Sequence, residues 1–146
     1  MALILSSNLL DQIHEHGQAA YPEEGAGLLL GSVEGDQINV EKLYILPNAR
    51  EDTARHNRYL LTPQDYLRGE VEAARLGMEV VGVFHSHPDH PNRPSEFDRE
   101  WALPGLSYLI TSVEAGKAAG SRSWQLSEER EKFNEQEIRI SETAKR

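Results

Sequence analysis

The apolar run Val80-Val81-Gly82-Val83-Phe84 leads straight into His85-Ser86-His87-Pro88, and this junction constrains the fold more than any other stretch. The run is short, β-branched and bounded by Gly77 and Pro88, the pattern of a buried strand. The spacing predicts a strand over 79–85. Side chains two apart on a strand leave the same face, so His85 and His87 can aim their imidazoles at one point. Ser95 and Asp98 follow a proline-rich connection, and Asp98 can supply an oxygen ligand from the next element. Two histidines and a carboxylate leave one position of a tetrahedral zinc ion open for water, as catalytic sites do.

The absence of cysteine excludes disulfides and every thiolate zinc site, so a metal would have to be held by histidine and carboxylate. A formal net charge of −9 with no basic cluster argues against a nucleic-acid backbone as partner. No apolar run is long enough to span a bilayer, and Met1-Ala2-Leu3-Ile4-Leu5 lacks a signal-peptide pattern, so no membrane role and a cytoplasmic location are expected. With 146 residues, one domain with a real core is expected.

Along the chain, a first helix is predicted over 7–20, with Ser7 as N-cap and an apolar stripe of Leu9, Leu10, Ile13 and Ala20. Strands follow over 27–33 and 37–46, joined at Glu34-Gly35-Asp36. Residues 48–57 read as a polar loop and 58–61 as a short strand. Thr62-Pro63-Gln64-Asp65 opens a second helix with a capping residue, proline at the first helical position and an acid three residues after the cap. That helix is expected to reach Leu76, with Gly77 at C′. Ser95 caps a short helix to about Leu103, and strands follow over 107–113 and 121–126. The domain is expected over 1–127. The charged segment 128–146 follows, in which Ile138 and Ile140 form an edge strand before a disordered tail. This mixed order of helices and strands predicts an α+β protein, an αβα sandwich with a mixed β-sheet.

Among the remaining histidines, His14 and His16 share the one-residue spacing of the pair at 85 and 87, but on a helix residues two apart do not face one way. Both are expected to face solvent, as are His56 and His90 in their loops. Asp98 has a structural role open to it as well. Ser95-x-x-Asp98 is a capping-box shape, and a capped first turn would fix the aim of both side chains. Glu23 and Glu24, just before the strand at Gly27, are both candidates for the base that a hydrolytic metal site requires. A zinc site closed by His90 would be structural instead, although the prolines at 88, 91 and 94 restrict how far that loop can fold back.

Glu24, His85-Ser86-His87-Pro88, Ser95 and Asp98 together resemble the signature of the JAMM (MPN+) zinc metalloproteases: a distant Glu, then His-x-His-Pro, then Ser-x-x-Asp at this spacing. The segments beginning at Tyr21-Pro22-Glu23-Glu24 and Pro104-Gly105-Leu106 are similar to those of small prokaryotic members. The resemblance implies a cytidine-deaminase-like αβα fold. It implies one zinc ion per chain, carrying a bound water and held by His85, His87 and Asp98. Glu24, rather than Glu23, would be the base, and Ser95 would hydrogen-bond the oxyanion. The implied activity is peptide or isopeptide hydrolysis after the C-terminal Gly-Gly of a ubiquitin-like or sulfur-carrier protein. Some MPN proteins are metal-free scaffolds that lack one or more ligands; all are present here.

Overall fold

A computed structural model describes residues 2–46 and 62–141. The loop expected over 48–57 with His56, the strand expected over 58–61 and the last five residues lie outside the described residues.

The described chain runs β1 (Ala2–Ser6), α1 (Ser7–Ala20), β2 (Ala26–Glu34), β3 (Gln37–Leu46), α2 (Pro63–Arg75), β4 (Glu79–Pro88), α3 (Glu96–Trp101), β5 (Ser107–Glu114), β6 (Lys117–Leu126) and β7 (Phe133–Ser141). Strand β1 is absent from the sequence-based expectation: it is five residues long and passes into α1 with no turn residue between them. The N-cap of α1 is accordingly Ser6, not Ser7. Ser6 keeps the extended backbone of β1, and its hydroxyl accepts from the Leu9 amide at 3.1 Å. Helix α2 starts as expected, with Thr62 and Asp65 closing a capping box and Pro63 in the first turn. Gly77 follows its C-cap at φ +75°, a conformation that glycine adopts without a Cβ penalty.

The seven strands form one mixed sheet in the order β1-β3-β2-β4-β5-β6-β7, closed by β7 against β1. Strand β1 is parallel to β3 and β7, and β4 is parallel to β5; the other pairs are antiparallel. The strand expected at an edge around Ile138 and Ile140 therefore has a partner on each side, β6 and β1. The apolar pairs Leu3↔Ile138 and Leu5↔Ile140 form this seam. Strand β6 also begins earlier than expected, at Lys117, because its hairpin with β5 turns at Ala115 and Gly116.

Two apolar clusters lie on opposite faces of the sheet. Helix α1 buries Ile13 against Leu3, Leu5, Leu29, Val81, Phe84 and Leu109. Helix α2 buries Ala73 with Leu28, Leu30, Val80, Val83 and Tyr108 on the other face. Strict alternation cannot put both Val80 and Val83 on one face. Leu29 pairs with Gly82 but Leu30 pairs with Val80, so Val81 is an extra residue, a β-bulge. Past it the alternation is reversed, since a shift of one residue exchanges the faces. Gly82 sits beside the bulge because a Cβ there would collide with the Ser107 carbonyl of β5. Phe84 and Ser86 thus turn toward α1, while His85 and His87 turn toward the face that carries Val83, α2 and α3. No described helix is long and apolar enough to cross a membrane.

Candidate metal centre

Strand β4 runs three residues beyond its expected end, because its parallel pairing with β5 continues to Pro88↔Val113. This keeps both imidazoles on one strand face, with His85 and His87 only 1% and 7% exposed. Helix α3 brings the carboxylate. The Ser95 hydroxyl accepts from the Asp98 amide at 3.1 Å, and Asp98 Oδ2 accepts from the Ser95 amide at 2.8 Å, a complete capping box. The box does not exhaust the carboxylate. Asp98 Oδ1 lies 3.7 Å from His85 Nε2, and Oδ2 lies 3.2 Å from His87 Nε2. Ligands about 2.0–2.1 Å from a tetrahedral zinc stand about 3.3 Å from one another, so these separations suit that ion. Among the described residues, His85, His87 and Asp98 form the group of potential ligands whose donor atoms cluster within 4.8 Å.

Neighbouring groups aim the donors. His87 Nδ1 lies 2.8 Å from the Pro91 carbonyl, which can only accept. Nδ1 therefore donates to Pro91, and Nε2 is the ring atom left to serve a metal. The proline-rich connection supplies this carbonyl and is itself tied down: Ser112 Oγ donates to the His90 carbonyl at 2.7 Å and Trp124 Nε1 donates to that of Asn92 at 3.1 Å. Burial pushes the His85 pKa down to about 4 against the opposing pull of Asp98. Burial favours the protonated form of Asp98, but His85, the hydrogen bond from His87 and the Ser95 amide together hold its pKa well below the usual carboxylate range. Neutral imidazole and ionised carboxylate are the forms that bind a cation.

Glu24 is buried just before β2, and its Oε1 is 3.9 Å from His85 Nδ1. Glu23 is half-exposed. The Glu24 backbone is fastened to β4 by two hydrogen bonds of its neighbour: Gly25 N–H to Ser86 Oγ at 2.9 Å, and Ser86 N–H to the Gly25 carbonyl at 3.0 Å. Asp89 adds a clamp that sequence reading did not find. Its backbone is left-handed, at φ 59°; its carboxylate accepts from Tyr21 O–H at 2.6 Å and from the Ala115 amide at 2.8 Å. It thereby joins the segment leading to Glu24, the end of β4 and the β5–β6 turn.

The other histidines stay apart. His90 is exposed, as expected. His14 and His16 are half-buried, not solvent-facing, because the whole of α1 lies against the sheet. His14 Nε2 is 2.9 Å from Ser121 Oγ, and His16 meets the Phe84 ring edge-on.

The description "prokaryotic homologs of the JAB domain" fits residues 6–127 of the chain. The chain is 29% identical over 118 residues to a probable TtuB-protein conjugate cleaving protease of Thermus thermophilus, covering 81% of this chain and 75% of that one. Its fold matches the solution structure of a protein from Desulfitobacterium hafniense at a TM-score of 0.82 and 32% identity, over 96% of this chain and 93% of that one. A JAB1/MPN domain protein from Archaeoglobus fulgidus shares the fold alone, at a TM-score of 0.57 and 24% identity over 94% of this chain and 97% of that one. The chain is an α+β JAMM/MPN domain and belongs to the prokaryotic JAB family.

Proposed function

We propose that this protein is a zinc-dependent peptidase or isopeptidase that hydrolyses the amide bond after the C-terminal Gly-Gly of a ubiquitin-like or sulfur-carrier protein, acting in the cytoplasm. The convergence of two imidazole Nε2 atoms on both oxygens of Asp98, with the buried Glu24 carboxylate alongside, carries this reading. The similarity to a conjugate cleaving protease supports the substrate class. The likeness of the αβα layering to cytidine deaminases belongs to the same reading.

His85, His87 and Asp98 would hold the ion. When bound, zinc supplies a Lewis acid for the scissile carbonyl and lowers the pKa of water. Glu24 accepts the proton of the attacking water and returns it to the leaving amine. The Ser95 oxygen accepts from the Asp98 amide, so its own O–H remains to donate to the developing oxyanion. The protein around His85 keeps bulk water from that side of the site.

The test is mass spectrometry of a ubiquitin-like protein extended beyond Gly-Gly, before and after incubation with the enzyme. Cleavage that stops with a chelator and returns with zinc is expected. Glu24→Gln is expected to retain zinc and to lose turnover by on the order of 10²–10⁴. Full activity in that variant removes Glu24 as the base. Purified protein that holds no zinc and is not rescued by added zinc leaves a scaffold in place of an enzyme.

A further inference from the structure

Helix α3 carries Ser95 and Asp98, yet it has only six residues, too few to be stable through its own hydrogen bonds. Its N-terminus is held by the capping box. Its C-terminus is held from outside the family match, which ends at residue 127. The Arg130 guanidinium reaches back across the turn between β6 and β7. It donates to the carbonyls of Ala102 at 2.7 Å, Glu100 at 3.0 Å and Arg99 at 3.1 Å. Arg99 answers by donating to the Arg130 carbonyl at 3.2 Å. A cation bonded to the last carbonyls of a helix satisfies acceptors that have no partner inside the helix and opposes the negative end of its dipole.

The turn is built to deliver this side chain. Among the described residues, Arg130 is one of three non-glycine residues with a left-handed backbone, at φ 61°. Its amide bonds the Ser127 carbonyl at 2.8 Å, and the Ser127 hydroxyl accepts from the amides of Glu131 and Lys132. Backbone strain in a surface turn persists only where surrounding contacts hold it, and here the contacts are those to α3. On the sheet side, the Tyr108 hydroxyl accepts from the Leu103 amide at 2.7 Å and so fixes the chain just after the helix.

We infer that Arg130 is a positioning residue for the metal site: by bracing the C-terminal end of α3 it sets where the Asp98 carboxylate stands relative to His85 and His87. The inference rests on the metal-dependent reading above. The segment after residue 127 is then a working part of the site, reaching it through α3 while β7 closes the sheet.

Cobalt(II) titrated into the full-length metal-free protein tests this directly. The intensity and position of its visible d–d bands report ligand geometry, and competition with a chelator gives affinity. Arg130→Ala is expected to weaken cobalt binding by on the order of 10–100-fold, the usual scale for removing a group that orients a metal ligand, and to alter the bands. Arg130→Lys keeps the charge but cannot span three carbonyls, and is expected to fall between Arg130→Ala and the unmodified protein. Arg139→Ala, which removes an exposed ion pair with Glu137 on β7, serves as the control with no change. A lowered melting temperature with unchanged cobalt affinity and bands in Arg130→Ala overturns the inference and makes the residue a structural brace only. If Arg130→Ala does not fold, Arg130→Lys decides on the same two readouts. Absence of cobalt binding by the unmodified protein overturns the metal-dependent reading, and this inference with it.

Discussion

Two helices of this protein begin with the same device. At α2, the Thr62 hydroxyl accepts from the Asp65 amide at 3.1 Å, and Asp65 Oδ2 accepts from the Thr62 amide at 3.4 Å. At α3, Ser95 and Asp98 repeat the exchange. The difference lies in the remaining carboxylate oxygen. Asp65 Oδ1 faces the exposed Arg68 guanidinium at 3.4 Å, an ordinary surface pair. Asp98 Oδ1 faces the buried His85 ring. A local motif therefore fixes where a carboxylate points, and only the tertiary partner decides whether its second oxygen ends in a surface ion pair or in a candidate metal centre.

The largest contrast is expected between the two aspartates. Asp98→Ala should abolish cleavage and weaken zinc by more than the roughly 10–100-fold typical of losing an outer partner. Asp65→Ala should leave both intact and cost about 1 kcal/mol, or about 2–4 °C in melting temperature. Zinc competition and calorimetry on the two variants check this, and equal zinc affinities would erase the distinction. The hydroxyls come next. Ser95→Ala and Thr62→Ala should each cost about 1 kcal/mol of stability, but only Ser95→Ala should slow turnover, by on the order of 10²–10³. Steady-state rates beside melting curves separate the two effects, and an unaltered rate in Ser95→Ala would reduce that serine to a cap.

A further contrast is one of pH in the metal-free protein. Unfolded, His85 takes up a proton near 6.5; folded, it resists until about 4. The folded state thus binds fewer protons in that window, and stability falls as pH drops from 6.5 toward 4. Asp98, held low in the fold, extends the loss below its ordinary value of 3.8. Melting temperatures in chelator across this range should show the decline, and His85→Gln should flatten its upper part. A decline unchanged in that variant would place its source elsewhere.

The candidate ligands were legible because their determinants are local: strand period for His85 and His87, box spacing for Asp98, and proline and glycine punctuation for α2. Four kinds of feature were not. The Val81 bulge depends on register with β2, which no window of β4 alone encodes. The pairing of β1 with β7 joins the two ends of the chain, so Leu3 and Ile138 give no sign of each other. The half-burial of His14 and His16 follows from where α1 docks. The Pro91 carbonyl and the Asp89 clamp likewise arise from loop geometry, not from residue type.

The extra residue in β4 makes the count of residues there a functional quantity. Strand β4 must satisfy two masters, a hydrophobic end at Val80 and a polar end at His85 and His87, and they demand opposite parity. Deleting Val81 would leave one unbroken alternation that satisfies both, whereas one residue inserted between Gly82 and His85 would force a choice between them. Keeping Val80 against Leu30 swings both imidazoles to the α1 side, and keeping the imidazoles in place turns Val80 out of its cluster. An insertion that alters no candidate ligand would thus be expected to disable the centre as surely as replacing one.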